Sequence, residues 1–261
     1  MLLTIDVGNT NMGYGIFEGE KLIGSFRLRT DSQATSDEVG LTASEYFLRF
    51  GLNPLDVEAI VIASVVPQVM YSLSSSCIKY FGKAPLVIGV DIEPGLQYIP
   101  TARERLGADR AVSCIAAIEK YGAPLIVIDF GTATTIDAIS RECVYLGGTI
   151  GTGLRVTMDA LTARAAMLPR VELAMPESII GTNTVMQMQA GVVAGYVGNI
   201  EYLVTRVKRE MQEPDARVVA TGGLSRMVAS ATEQINILDP QLVLDGLRIL
   251  YERHSRSTAQ A

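Results

Sequence analysis

Three aspartates stand where a carboxylate could do chemistry. Asp6 follows an apolar run, Leu2-Leu3-Thr4-Ile5, and precedes Val7 and the turn formers Gly8-Asn9-Thr10-Asn11. Asp129 follows Leu125-Ile126-Val127-Ile128 and precedes Phe130-Gly131-Thr132-Ala133-Thr134-Thr135. Asp109 lies in Gly107-Ala108-Asp109-Arg110, just ahead of Ala111–Tyr121, whose apolar residues recur at helical spacing. In the first stretch, Gly8 lets backbone N–H groups approach an anion, and Asn9, Thr10 and Asn11 can donate to it. Asp6 would repel a phosphate unless a cation, most simply hydrated Mg²⁺, stood between them. The stretch therefore reads as a phosphate-and-metal loop, although Asp-x-Gly-Asn is also ordinary turn chemistry. The second copy at Asp129 tips that balance and suggests duplicated halves. Asp109 reads on its own as a helix N-cap. Beside Arg110, where a loop meets a helix, it is also placed as a general base for a bound alcohol would be.

The elements that must position these residues alternate in type. Strands are expected near 2–7, 12–18 and 21–28, making a hairpin after Asp6 and a second turn at Phe17–Lys21. A helix follows from an N-cap at Ser36 to about Arg49, with Glu38 in its first turn, and Gly51-Leu52-Asn53-Pro54 stops it. Ala59–Ala63 is a buried strand, a helix starts at Pro67, and Pro85–Ile88 is a further strand. Gly89–Leu106, with Pro94, Gly95 and Pro100, reads as irregular. Gly122-Ala123-Pro124 marks the boundary between halves 1–122 and 123–261. Beyond it the hairpin recurs, with an apolar strand from Leu125 running into Asp129, strands 136–140 and 143–150 and a turn at Arg141-Glu142.

Gly147–Gly153 is glycine-dense and enters a helix from Leu154 to about Arg164. Close packing is favoured there over anion binding. A long helix runs from Thr182-Asn183-Thr184 to about Met211. Its small residues Ala190, Gly191, Ala194, Gly195 and Gly198 mark close helix contact, either across a dimer or within one subunit. Arg217–Ala220 is a strand ending in Gly222-Gly223, which suits an adenine or ribose contact and equally an ordinary strand–helix turn. Leu242–Tyr251 is a last amphipathic helix, followed by a frayed tail.

Composition narrows the function classes. The 261 residues carry a formal net charge of −6, which argues against nucleic acid or an anionic membrane as the main partner. Cys77, Cys114 and Cys143 are scattered without metal spacing, as in a reduced cytoplasmic protein. The one histidine, His254, sits in a polar C-terminal stretch, which disfavours a Ser-His-Asp hydrolase. The N-terminus reads as a strand, not a signal peptide. The longest apolar stretch, Val185–Val204, contains Gln187, Gln189, Asn199 and Glu201 and is rejected as a membrane span.

No Walker A sequence occurs, and no Rossmann glycine fingerprint follows the first strand. Paired Asp-x-Gly loops with a later Gly-Gly turn resemble the acetate and sugar kinase, actin and chaperone superfamily. That resemblance implies an α/β fold of duplicated ribonuclease-H-like domains, mixed sheets flanked by helices, with an ATP cleft between them. Six motifs occur in order: Asp6–Asn11, Gly107–Arg110, Asp129–Thr134, Leu168-Pro169-Arg170-Val171, Gly181 with Asn183-Thr184, and Ala220–Leu224. This ordered set is similar to the type III pantothenate kinases.

The resemblance implies ATP-dependent phosphorylation of pantothenate to 4'-phosphopantothenate, the first step of coenzyme A biosynthesis, by a cytoplasmic homodimer. Asp109 would be the catalytic base. Gly107, Ala108 and Arg110 would hold the substrate with Tyr98, and Thr184 would reach it from the other subunit. The loop Asp6, Val7, Gly8, Asn9, Thr10, Asn11, Met12 and Gly13 would hold ATP phosphates, with Asp6 toward Mg²⁺. Thr132, Gly222 and Gly223 would contact ATP, and Asp129 would bind a monovalent cation, K⁺ or NH₄⁺. Departures are Gly151-Thr152-Gly153 where the family has Ala-Pro-Gly, Thr182 where lysine is common, and no Asn-Pro shortly before Gly107. A non-catalytic relative, a kinase for another small polyol or acid, and an actin-like assembler are the rival readings.

Overall fold

A computed structural model describes residues 1–99 and 106–260. Pro100, part of the stretch read as irregular, lies outside them. In chain order the strands are β1 (Leu2–Val7), β2 (Asn11–Glu18), β3 (Lys21–Arg29), β4 (Ala59–Ser64), β5 (Leu86–Val87), β6 (Gln97–Tyr98), β7 (Leu125–Phe130), β8 (Ala133–Ile139), β9 (Val144–Thr152), β10 (Arg217–Thr221) and β11 (Ile237–Leu238). The helices are α1 (Ser36–Arg49), α2 (Met70–Phe81), α3 (Ala108–Tyr121), α4 (Leu154–Arg164), α5 (Thr184–Met188), α6 (Gly195–Met211), α7 (Ser225–Ala229) and α8 (Leu242–Gln260). A π-helical segment, Gln189–Ala194, joins α5 to α6.

The chain forms two compact units. The first comprises Met1–Leu96, Glu104–Ala116 and Leu242–Ala261, and the second Gln97–Arg103 and Ala117–Gln241. Compared with halves cut at residue 122, 97–103 and 117–122 fall in the second unit and 242–261 in the first. α8 packs on β1, β2 and β4 of the first unit, and β6 pairs with β9 of the second.

The first sheet has the order β3-β2-β1-β4-β5. β1, β2 and β3 run antiparallel, and β4 and β5 continue parallel to β1. The second sheet has the order β11-β10-β7-β8-β9-β6. With β7, β8 and β9 matched to β1, β2 and β3, and β10 and β11 to β4 and β5, the two orders coincide and β6 is an added edge. The α/β architecture with mixed, helix-flanked sheets expected from the sequence is the architecture observed. The strands form because their runs are apolar and β-branched: Leu3, Ile5 and Val7 on one, Ile126, Ile128 and Phe130 on the other, all fully buried. α1 and α2 cover the first sheet through Phe47, Leu73 and Phe81. α6 covers the second through Val197, Ile200 and Val204.

Several local expectations need correcting. The N-cap of α1 is Thr35, not Ser36. Its hydroxyl accepts from Glu38 N–H (3.2 Å), while the Glu38 carboxylate accepts from Thr35 N–H (2.7 Å), a reciprocal capping box. Ser36 instead meets Lys79 Nζ. β8 begins at Ala133, three residues early, because Thr134 and Thr135 already pair with Phe130 and Asp129. β6 interrupts the stretch read as irregular. α8 does not fray after Tyr251. Glu252 bridges Arg248 (2.7 Å) and Arg256 (3.8 Å), and the Thr258 hydroxyl bonds the His254 carbonyl, so the helix continues to Gln260. Gly246 is what lets it approach α3, since a Cβ there would overlap Val112.

Candidate active site

The first unit brings Asp6 and Asp109 to the same edge of one sheet. Asp6 is the penultimate residue of β1, opposite Gly13 on β2 and beside Ala63 on the parallel β4. Val7 and Met12, which pair next, are buried in the core, so only their backbone can face a ligand at the loop. Gly8 N–H donates to the Asn11 carbonyl (3.1 Å) and closes the turn, leaving the side chains of Asn9, Thr10 and Asn11 exposed. Thr30, just past β3, braces this loop. Its hydroxyl donates to the Gly8 carbonyl (2.6 Å) and its N–H to the Thr10 carbonyl (3.0 Å).

α3 starts over the end of β4. Val65 N–H donates to the Val7 carbonyl (3.1 Å), and a Cβ on Gly107 would lie 3.5 Å from Val65 Cγ1. The same Cβ would lie 2.6 Å from Asp109 Oδ1, so glycine is needed for the carboxylate to fold back over the turn. Asp109 is the second residue of α3 and not its N-cap. Its Oδ1 accepts from Arg110 N–H (2.8 Å). Burial pushes the Asp109 carboxyl up from its ordinary value, while the Arg110 N–H and charge pull the other way and lose. A half-buried carboxylate with a raised pKa is a better proton acceptor than a solvated one.

The second unit repeats the frame with differences. Asp129 is penultimate on β7, opposite Thr135 and beside Thr221. Gly131 N–H donates to the Ala133 carbonyl (3.0 Å), leaving Thr132 at the tip of a loop one residue shorter than its counterpart. Gly153 N–H bonds the Thr132 carbonyl (3.0 Å), and a Cβ on Gly153 would strike the Gly131 and Thr132 carbonyls. The glycine-dense stretch thus serves close packing beneath the loop, as expected. Gly222 has φ +92°, and a Cβ there would fall on the Asp129 carboxylate and the Phe130 backbone. Tyr196 shares a hydrogen bond with Thr134 Oγ1 and leans on Phe130, bracing the loop from the helix side. Tyr98 lies on β6, edge-to-face with Tyr145 (5.8 Å). Thr184 opens α5, exposed, next to the N-cap Asn183.

The family described as type III pantothenate kinase matches residues 2–206. A type III pantothenate kinase of Listeria monocytogenes serotype 4a is 44% identical over 258 residues, covering 99% of both chains. The chain belongs to the type III pantothenate kinases. Among solved structures, a Campylobacter jejuni protein assigned to the Baf family of transcriptional activators superposes with a TM-score of 0.62 at 20% identity, covering 97% of this chain and 99% of that one. An activator of 2-hydroxyisocaproyl-CoA dehydratase from Clostridium difficile superposes with a TM-score of 0.53 at 13% identity, covering all of this chain and 97% of that one. Those two likenesses concern the fold.

Contacts from distant parts of the chain, made by Thr30, Gly153 and Tyr196, hold the two Asp-x-Gly loops in place. Only Gly153 had a signal in the sequence, the glycine-dense run. Among the described residues no group of three or more His, Cys, Asp or Glu side chains could cage a metal ion. No helix among them is long and apolar enough to cross a membrane.

Proposed function

We propose that this type III pantothenate kinase transfers the γ-phosphoryl group of ATP to the primary alcohol of pantothenate with Asp109 as general base. The observation that carries the proposal is the placement of Asp109. It is a half-buried carboxylate with a raised pKa, at the sheet edge that also presents the Asp6 loop. As the alcohol oxygen bonds to the γ-phosphorus, its proton passes to Asp109 and the bond from phosphorus to the ADP oxygen breaks. Arg110 pairs with the carboxylate of pantothenate, and Gly107-Ala108 shape the substrate turn. Tyr98 belongs to the same substrate set. The residues Asp6 to Gly13 hold ATP phosphates, the buried pair Val7 and Met12 through backbone alone. Thr132, Gly222 and Gly223 contact ATP.

A lone carboxylate at a phosphate loop suits Mg²⁺, which keeps most of its ligands as water and phosphate oxygens. Asp6 would hold that ion, and when bound it neutralises phosphate charge. Asp129, with its carboxylate against the Gly222 turn and the Phe130 carbonyl nearby, offers hard oxygen donors for K⁺ or NH₄⁺. The enzyme works as a homodimer in the cytoplasm, with Thr184 reaching the partner's substrate. In support, no described atom outside the helix's own backbone lies within 4 Å of where a Cβ on Gly191, Gly195 or Gly198 would be. These three glycines of the stripe are exposed, whereas Ala190 is buried within the chain.

The test is Asp109→Asn, which keeps size and most hydrogen bonding but cannot take a proton. Turnover should fall by roughly 10²–10⁴-fold with ATP affinity unchanged. Turnover within a few-fold of the parent would remove Asp109 from the base role.

A further inference from the structure

Thr135 Oγ1 is buried, and among the described residues it has no hydrogen-bond partner. Its residue is only 9% exposed. β8 places Thr135 directly opposite Asp129 on β7. Directly opposed residues of an antiparallel pair project to the same face, with Cβ atoms about 5 Å apart. The neighbouring pair, Ile128 and Ile136, projects into the core beneath α6, so Asp129 and Thr135 share the other face. A threonine hydroxyl beside a carboxylate ordinarily donates to it. Here it does not, and Asp129 Oδ1 turns instead toward the Gly222 turn. An unpaired buried hydroxyl is costly, and a cation on its oxygen offsets part of that cost. The taker must tolerate a carboxylate on its other side, which describes a hard cation coordinated by oxygen.

We infer that Thr135 Oγ1 is a second protein oxygen of the monovalent-cation site, completing it with Asp129. The inference rests on the assignment of that cation to Asp129, and the test separates the two. Thermal melting of the full chain is followed in KCl and in NaCl at equal ionic strength, for the parent, Asp129→Asn, Thr135→Val and Thr135→Ser. K⁺ titrations of both melting temperature and activity complete the set. The parent should melt higher in K⁺, and Asp129→Asn should lose the difference. Thr135→Val, which keeps the volume and deletes the hydroxyl, should raise the half-saturating K⁺ concentration by roughly three- to tenfold, the weight of one polar contact. Thr135→Ser should restore the parental value. A parental K⁺ midpoint in Thr135→Val, or an equal loss in Thr135→Ser, would overturn the Thr135 role while leaving Asp129 in place. No K⁺-specific shift in the parent would overturn both.

Discussion

Asp109 illustrates how one residue can be held at a cost to the fold. Its carboxyl is raised by burial, so the folded protein binds a proton there more tightly than the unfolded chain does. If Asp109 is the base we propose, activity needs its unprotonated form. The acid limb of kcat/KM should therefore have its midpoint above the ordinary carboxylate value of about 4, and Asp109→Asn should lose that limb. Stability runs the opposite way. The penalty of the charged group is fully present above its folded pKa and fades as pH falls through it. At neutral pH Asp109→Asn should melt higher than the parent, and the gap should close in acid. Parallel melting of the two proteins across pH would contradict this. Gly222 is the other residue with a sharp prediction. Its φ of +92° and the crowding by Asp129 make Gly222→Ala strained, at a cost of roughly 1–3 kcal/mol. Melting should drop and the K⁺ requirement should rise together, read by calorimetry and by a K⁺ titration of activity.

At the scale of elements, local pattern was sufficient where local forces decide. Both Asp-x-Gly strands, the hairpin after Asp6, and the existence of α1, α4 and β10 could be read from apolar runs and turn formers, whereas the cap of α1 and the start of β8 could not. The rest of what could not be read depends on partners distant in the chain. Thr30 looks like an ordinary strand end until its hydroxyl is seen on Gly8. β6 is two residues long and exists only because β9 offers an edge. The extension of α8 beyond Tyr251 rests on i,i+4 pairs in a stretch whose polarity resembles a tail. Removal of residues 252–261 should accordingly lower the melting temperature, since it deletes Glu252 from beneath Arg248. An unchanged melt would return that stretch to the status of a tail. The cap of α1 gives a smaller and cleaner test. Thr35→Ala should cost about 1 kcal/mol and Ser36→Ala much less, as measured by denaturant unfolding.

At the scale of the whole molecule, the repeat is plainest in the sheets. Each unit carries an aspartate at the penultimate position of its central strand, followed by a glycine loop. The copies have diverged in structure. The first keeps an exposed Asn-Thr-Asn tip and gains Asp109 at its edge, while the second has a shorter loop packed by Gly153, Tyr196 and Gly222. The sequence showed the aspartates and glycines of both sites, because those residue types are needed whatever surrounds them. It did not show the bracing residues, whose identity depends on what they touch. Family membership gives the chain its reaction, the phosphorylation of pantothenate by ATP. The most direct check of that reaction is ADP release by the purified chain with ATP, Mg²⁺ and K⁺, measured with and without pantothenate. Release that depends on pantothenate is the predicted result. Equal release with and without it, while ATP still binds, would contradict the assignment.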